Sequence, residues 1–482
     1  MVTQISLALV SHTNVGKTTL ARTLLGQDVG EVRDAPHVTE FAEQHLLLQT
    51  EEGDRLLLWD TPGFGDSARL AQRLRQSAQP IGWFLGQVWD RFTDRPFWSS
   101  QQALRAVRDE ADVVLYLVNA AESPASAGYV APEMDLLAWV GRPVIVLLNQ
   151  LGAPRPAAEE AADVERWRAF LGPRVRAVLP LDAFARCWAQ EGVLLARVQQ
   201  VLLGEAQAAM QRLHAAWRAA GEGRLAQAMQ QIADSLARVA GDREPVPDSG
   251  MLRDTARRVG QWLRLPRSED PTTLAQQALA TRLEEELRRS TTALVALHGL
   301  KGDAEREVLA RIATHFDVRL PVDEGQAAVL GGLVTGALAG LKADIASGGL
   351  TLGGGLLAGG LIGALGAAGA ARAINHVRGG GSVAWSDAAL AAQVEAALLR
   401  YLAVAHFGRG RGDWAAGEAP PHWRGVVAQA LQPRRAELAL LWRDRDDSLL
   451  LATALQPLLL ALAQEVLARL YPPDPPAYHP PL

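Results

Sequence analysis

Lysine is almost missing from this sequence. It occurs only at Lys17, Lys301 and Lys342, although lysine and arginine together number 48. The bias fits a GC-rich, bacterial genome, and it singles out Lys17 as a place where arginine did not suffice. Cysteine is scarcer still. Cys187 stands alone, so no intrachain disulfide can form and a reducing cytoplasm is the expected compartment. Nothing around Cys187 suggests a metal or a catalytic partner, and it reads as structural. There is no basic excess: the net charge is −5, which counts against a general nucleic-acid binder. No basic region precedes the apolar run of "MVTQISLALV", so it does not read as a secretory signal.

What is present is globular. The 482 residues are 49% hydrophobic and 21% charged, and the length suggests roughly two to four domains. Residues 4–10, "QISLALV", read as a buried strand that runs into "SHTNVGKTTL" and then a helix. Strand, glycine loop and helix in that order are the context of a phosphate-binding P-loop. The backbone N–H groups of His12, Thr13, Asn14, Val15 and Gly16 would cradle phosphates, with Thr19 in the first helical turn. Lys17 would reach the β- and γ-phosphates and the Thr18 hydroxyl would bind Mg²⁺. Ser11 stands where the pattern has its first glycine, a mild defect.

Two further strands, 42–50 and 54–64, flank the turn "EEG". The second ends in Asp60-Thr61-Pro62-Gly63. Asp60 would hold the metal through water, and Gly63 can present its N–H to a γ-phosphate with no side chain in the way. Thr39 is the only hydroxyl-bearing residue between Leu24 and Gln49, so a loop closing on metal and γ-phosphate would have to use it. The runs 112–120 and 142–150 are continuously apolar, as in a parallel sheet covered on both faces, and 174–181 would be the last strand. The fold class that follows is an α/β P-loop domain, mostly parallel, with helices on both faces.

In this order and spacing, "SHTNVGKTTL", Thr39, "DTPGF" and "LLNQLG" resemble the G1 to G4 motifs of the Era/TrmE-like branch of translation-factor-class (TRAFAC) GTPases. Asn14, in "TNVGKT", matches that branch's "PNVGKS" form. The resemblance covers roughly residues 1–200, and the whole chain resembles a bacterial family of GTPases with a C-terminal domain of unknown function. It implies GTP and GDP as ligands, Mg²⁺ as cofactor and slow, regulated hydrolysis in which Lys17, Thr39, Gly63 and Asn14 take part. In some relatives the asparagine matching Asn14 helps hold K⁺. Asn149 and Gln150 would meet the base. Two departures stand out. Gly152 replaces the aspartate that reads guanine, which should relax base specificity. Phe64 stands where some GTPases carry a water-orienting glutamine, so hydrolysis should be slow without a partner, a dimer or a monovalent cation.

An insertion at about 66–108 is rich in aromatics: Trp83, Phe84, Trp89, Phe92, Phe97 and Trp98. Packing an extra helical layer is the preferred reading, and a partner surface the alternative. From about 185 strand patterns vanish and amphipathic helices follow. The expected division is a GTPase domain 1–200, a helical domain 201–320, a glycine-rich hairpin 321–380, a helical bundle 381–471 and a proline-rich tail 472–482, with 241–250 as a linker. In the hairpin, Gly332, Gly336 and Gly340, then Gly355, Gly359 and Gly363, form two side-chain-free stripes. Residues 345–371 carry no charge, long enough against the roughly 20 apolar residues a bilayer needs. Membrane association through 326–371 is preferred over a buried hairpin. The expected protein is a cytoplasmic switch, peripheral or integral at the inner membrane, with a protein partner or self-association. The rivals are a nucleotide-gated membrane-acting or pore-forming protein and a ribosome-assembly GTPase.

Overall fold

The computed structural model describes residues 2–25, 42–75, 94–149, 157–181, 187–246, 271–299, 374–376, 382–406 and 421–471. Thr39, Gln150, Gly152, the glycine-rich hairpin at 326–371, the tail and the aromatics Trp83, Phe84, Trp89 and Phe92 lie outside them. Two compact units divide the chain, one built on Met1–Glu222 and the other on Gly223–Val404 with Ala415–Pro472.

In the first unit, β1 (Gln4–Ser11), α1 (Lys17–Leu25), β2 (Glu43–Gln49), β3 (Arg55–Asp60), α2 (Ser67–Leu74), α3 (Arg95–Asp109), β4 (Val113–Asn119), α4 (Val130–Val140), β5 (Val144–Asn149), α5 (Ala157–Leu171), β6 (Ala177–Pro180), α6 (Trp188–Val201) and the start of α7 (Gly204–Gly241) follow in order. The sheet order is β2-β3-β1-β4-β5-β6. Only β2 runs antiparallel, joined to β3 as a hairpin; the remaining pairs are parallel.

The continuous apolar runs are explained by a two-sided core. Successive side chains of a strand point to opposite faces. Val114, Tyr116 and Val118 of β4 accordingly join one cluster with α2, α3, α4 and α5, while Val113, Leu115 and Leu117 join another with α1, α6 and α7. Phe97 and Trp98, the described members of the aromatic insertion, are buried on α3, as the packing reading requires of them. α3 also lies tight against the segment after β3: a Cβ at Gly65 would stand 2.5 Å from Pro96 Cα, and the Gly65 N–H donates to Ser100 Oγ at 3.1 Å.

The second unit is largely helical. α8 (Pro271–Leu297), α9 (Asp387–Ala405), α10 (Pro421–Leu431), α11 (Arg435–Leu441) and α12 (Ser448–Leu470) accompany the rest of α7. Leu225, Met229, Ile232 and Leu236 on α7, and Leu455, Leu459, Leu462 and Val466 on α12, are buried at helical spacing. By length and composition α9 and α12 could each cross a membrane, with 61% and 44% of their apolar windows buried in the protein.

One expectation is corrected here. Strands do not end at 185, because β7 (Arg243–Pro245), β8 (Ile374–His376) and β9 (Ser382–Trp385) form a small antiparallel sheet in the order β7-β9-β8. β7 lies inside the stretch read as a linker. Segments of three or four residues are too short to display an alternating pattern, and Pro245 argues against a strand by composition.

Candidate functional site

The loop between β1 and α1 is shaped by two residues in the left-handed region, Asn14 at φ +64° and Gly16 at φ +95°. Asparagine tolerates that region better than most side chains, and glycine enters it freely. Turns of this kind point consecutive N–H groups inward, which suits an anion. The loop is braced from β5. Asn149, fully buried, donates from Nδ2 to Val15 O at 2.8 Å, and a Cβ at Gly16 would sit 2.9 Å from that same nitrogen.

Lys17 opens α1 and is itself buried. Its Nζ donates to Ser11 Oγ at 3.1 Å, and Ser11 donates in turn to His12 O at 2.5 Å. The serine read as a mild defect is thus a fully buried part of the lysine's setting. Burial holds the Lys17 ammonium below the usual lysine range, against the opposing charges of Asp60 and Glu133.

Next along the helix, Thr18 Oγ1 donates to Asp60 Oδ2 at 2.7 Å. Asp60 is buried at the carboxyl end of β3, and its Oδ1 has no hydrogen-bond partner among the described residues. Burial raises its pKa, with the Thr18 hydrogen bond and the Lys17 charge pulling the other way. A hydroxyl, a carboxylate and an unused buried oxygen in one place are hard-oxygen donors suited to Mg²⁺. The following residues fold back over the loop. Thr61 Oγ1 donates to Leu9 O at 2.6 Å, and Phe64 N donates to Ser11 O at 2.9 Å in a parallel bridge pairing Phe64 with His12. Gly63 lies close enough that a Cβ would be 3.0 Å from Thr13 Cα and 3.1 Å from Lys17 Nζ. Phe64 is fully buried among Val10, Leu70 and Phe97 in the core.

The sequence reading missed one group. Glu133 on α4 is fully buried, yet its Oε1 takes a hydrogen bond from His12 Nδ1 at 2.7 Å and its Oε2 one from Tyr116 OH at 2.6 Å. Ser67, the first residue of α2, is a third partner. The His12 ring stacks on Tyr129 at 4.5 Å. Burial raises the Glu133 pKa, against its hydrogen bonds from His12, Tyr116 and Ser67. Burial and the Glu133 charge push the Tyr116 phenol well up, so it stays a donor. The available signal was periodicity. In "VAPEMDLLAWV" helical spacing puts Glu133 beside Val130 and Leu137 on the inward face.

His12, Thr13, Asn14, Val15, Gly16, Lys17, Thr18, Thr19, Asp60, Gly63 and Asn149 therefore converge at the carboxyl ends of β1, β3 and β5. Thr39 and Gln150 fall outside the described residues.

Two family models match successive stretches of the chain, the second beginning inside the first compact unit. The model of a family described as "50S ribosome-binding GTPase" matches residues 6–150, and that of a "Domain of unknown function (DUF3482)" matches residues 171–448, more than half of the chain. GTPase Der of Myxococcus xanthus is 28% identical over 149 residues, covering 30% of this chain and 25% of that protein. GTPase Der of Deinococcus deserti is 27% identical over 148 residues, covering 31% and 27%. The chain thus spans about a quarter of the length of these relatives. Among solved structures, Era in complex with MgGDPNP and a 16S ribosomal RNA fragment aligns at TM-score 0.30 and 19% identity, covering 38% of this chain and 52% of that one. Aquifex aeolicus Era bound to GDP·AlF4⁻ aligns at TM-score 0.32 and 18% identity, covering 42% and 58%. The N-terminal part is a P-loop GTPase domain.

Proposed function

The chain belongs to the DUF3482 family, and we propose that it is a GTP-binding, slowly hydrolysing switch whose nucleotide state acts on the helical region. The observation that carries this reading is the cluster of buried Lys17, half-buried Thr18 and buried Asp60 beneath a left-handed loop, with Gly63 closed over it. Lys17 binds the β- and γ-phosphates, and the N–H groups of the loop hold their oxygens. Thr18, Asp60 and Thr39 are the residues that would hold Mg²⁺, which when bound neutralises phosphate charge. Gly63 presents its N–H to the γ-phosphate, and Asn14 is placed to help hold K⁺. Asn149 braces the base side of the loop, beside Gln150. Hydrolysis is slow, because the side chain after Gly63 is turned into the core and reaches no attacking water.

Titration with fluorescent GDP and GTP, with and without Mg²⁺ and with ATP as competitor, tests this. Tight binding that weakens at least about tenfold without Mg²⁺ is expected. ATP should compete better than at a site with an aspartate reading guanine, since Gly152 offers no side-chain acceptor. Absence of binding in all conditions would end the reading.

The effector half of the proposal is that residues 326–371 engage lipid. Their uncharged length and glycine stripes support it. Flotation with liposomes is expected in one nucleotide state and not the other. Protein that stays at the bottom in every state would assign the stripes to helix packing in a soluble bundle.

A ribosomal partner is the second reading, favoured by the description of the matched GTPase family. The acidic net charge weighs against general nucleic-acid binding but not against a ribosomal site. Ribosome or RNA retention that falls steeply with salt would place it first.

A further inference from the structure

Glu133 is out of reach of solvent, yet it joins three separate elements around the phosphate loop. One oxygen holds His12, in the phosphate loop. The other holds Tyr116, on the central strand β4. Ser67, also buried, adds the first residue of the helix that follows the Asp60–Gly63 segment. A buried carboxylate needs such donors, because an ionised oxygen left without one in the interior is costly. Opening the segment after Gly63 by shifting the start of α2 would strip one donor from it. His12 is fixed in turn by its stack on Tyr129 and its backbone bridge to Phe64.

We propose that Glu133 is a positioning residue that locks the phosphate loop to the start of α2, holding Gly63 closed where a γ-phosphate would meet it. The inference rests on the nucleotide-switch reading above. Glu133 itself touches no nucleotide. Its effect is selective, since a closed Gly63 helps a ligand with a γ-phosphate and does little for a diphosphate. The glutamine isostere keeps the shape but has one acceptor oxygen where the carboxylate has two, so it cannot satisfy His12, Tyr116 and Ser67 in their present roles.

The test compares wild type, Glu133→Gln, Ser67→Ala and the double variant, by affinity for fluorescent GDP and for a non-hydrolysable GTP analogue. Glu133→Gln should lower analogue affinity about tenfold while GDP affinity changes less than about threefold, and Ser67→Ala should do the same. The double variant should be no worse than about twofold beyond the stronger single one, because both cut one link. A general structural defect would weaken both ligands alike, so an unchanged analogue-to-GDP ratio overturns the inference. So does a double variant whose loss is the product of the single losses. Should Glu133→Gln not fold, Ser67→Ala decides on the same ratio, since Asp66 still caps α2 through Arg69 N. Wild type that binds neither ligand overturns the nucleotide reading and this inference with it. Wild type that binds both, with variants that keep its ratio, overturns this inference alone.

Discussion

Lys17→Ala is expected to weaken GDP and GTP binding by about two to three orders of magnitude while the fold holds. With a nucleotide bound, the ammonium faces phosphate oxygens in a dry site, and truncating one partner of such a pair costs about 2–5 kcal/mol, which gives the expected fold-change. Without nucleotide, the same ammonium is a buried cation whose pKa burial has already lowered. Removing it relieves that penalty and gives up the hydrogen bond to Ser11 Oγ at 3.1 Å, so the melting temperature of the nucleotide-free protein should move little. Isothermal titration on wild type and variant, with a thermal melt of each, reads both quantities. A variant that binds within about threefold of wild type would mean that Lys17 does not reach phosphate.

Phe64→Gln should be severely destabilising and should not speed hydrolysis. Position 64 follows the DTPG motif, where the family resemblance suggests that a glutamine would orient water. The fold excludes that gain. Phe64 is fully buried among Val10, Leu70 and Phe97, and its N–H is tied to Ser11 O at 2.9 Å. Replacing it removes a core aromatic, for which truncation costs about 3–5 kcal/mol, and buries an amide with nothing assigned to receive it. In a unit of this size each kcal/mol lowers the melting temperature by about 2–4 °C, so a drop on the order of 10 °C is expected. Calorimetry and single-turnover hydrolysis at low temperature check the two halves. A variant that melts like wild type and hydrolyses faster would show that residue 64 can swing out to the phosphates.

Much of the first unit was legible because its signals are local. All six strands could be read as runs rich in apolar residues, and three of them, β1, β3 and β5, end next to motif residues with a defined task. Lys17, Thr18, Asp60 and Asn149 could be named for that reason. Their mutual contacts, Thr18 to Asp60 and Asn149 to Val15, are separated by 42 and 134 residues and follow from strand order, which no short stretch encodes. Glu133 escaped notice for a related reason: an acidic residue in a helix reads as surface unless its neighbours are counted around the turn. Phe64 was judged by what it cannot do for water, when its place is decided by the cluster beneath the sheet. The second unit gave up its helices through periodicity and hid its small sheet, whose strands are too brief to show a period.

The contact between Gly65 and α3 has a bearing on how this chain can change over generations. A side chain at 65 would strike Pro96 at its Cα, 2.5 Å away, and backbone cannot rotate aside as a long side chain can. Any replacement of Gly65 is therefore admissible only after the start of α3 has already drifted outward, and the drift by itself brings no benefit. The two sites form a ratchet in sequence space: position 65 is frozen by the backbone of Pro96 at the start of α3. Swapping the 66–108 segment between homologues should accordingly succeed only when the donor brings an equally close-lying entry to that helix.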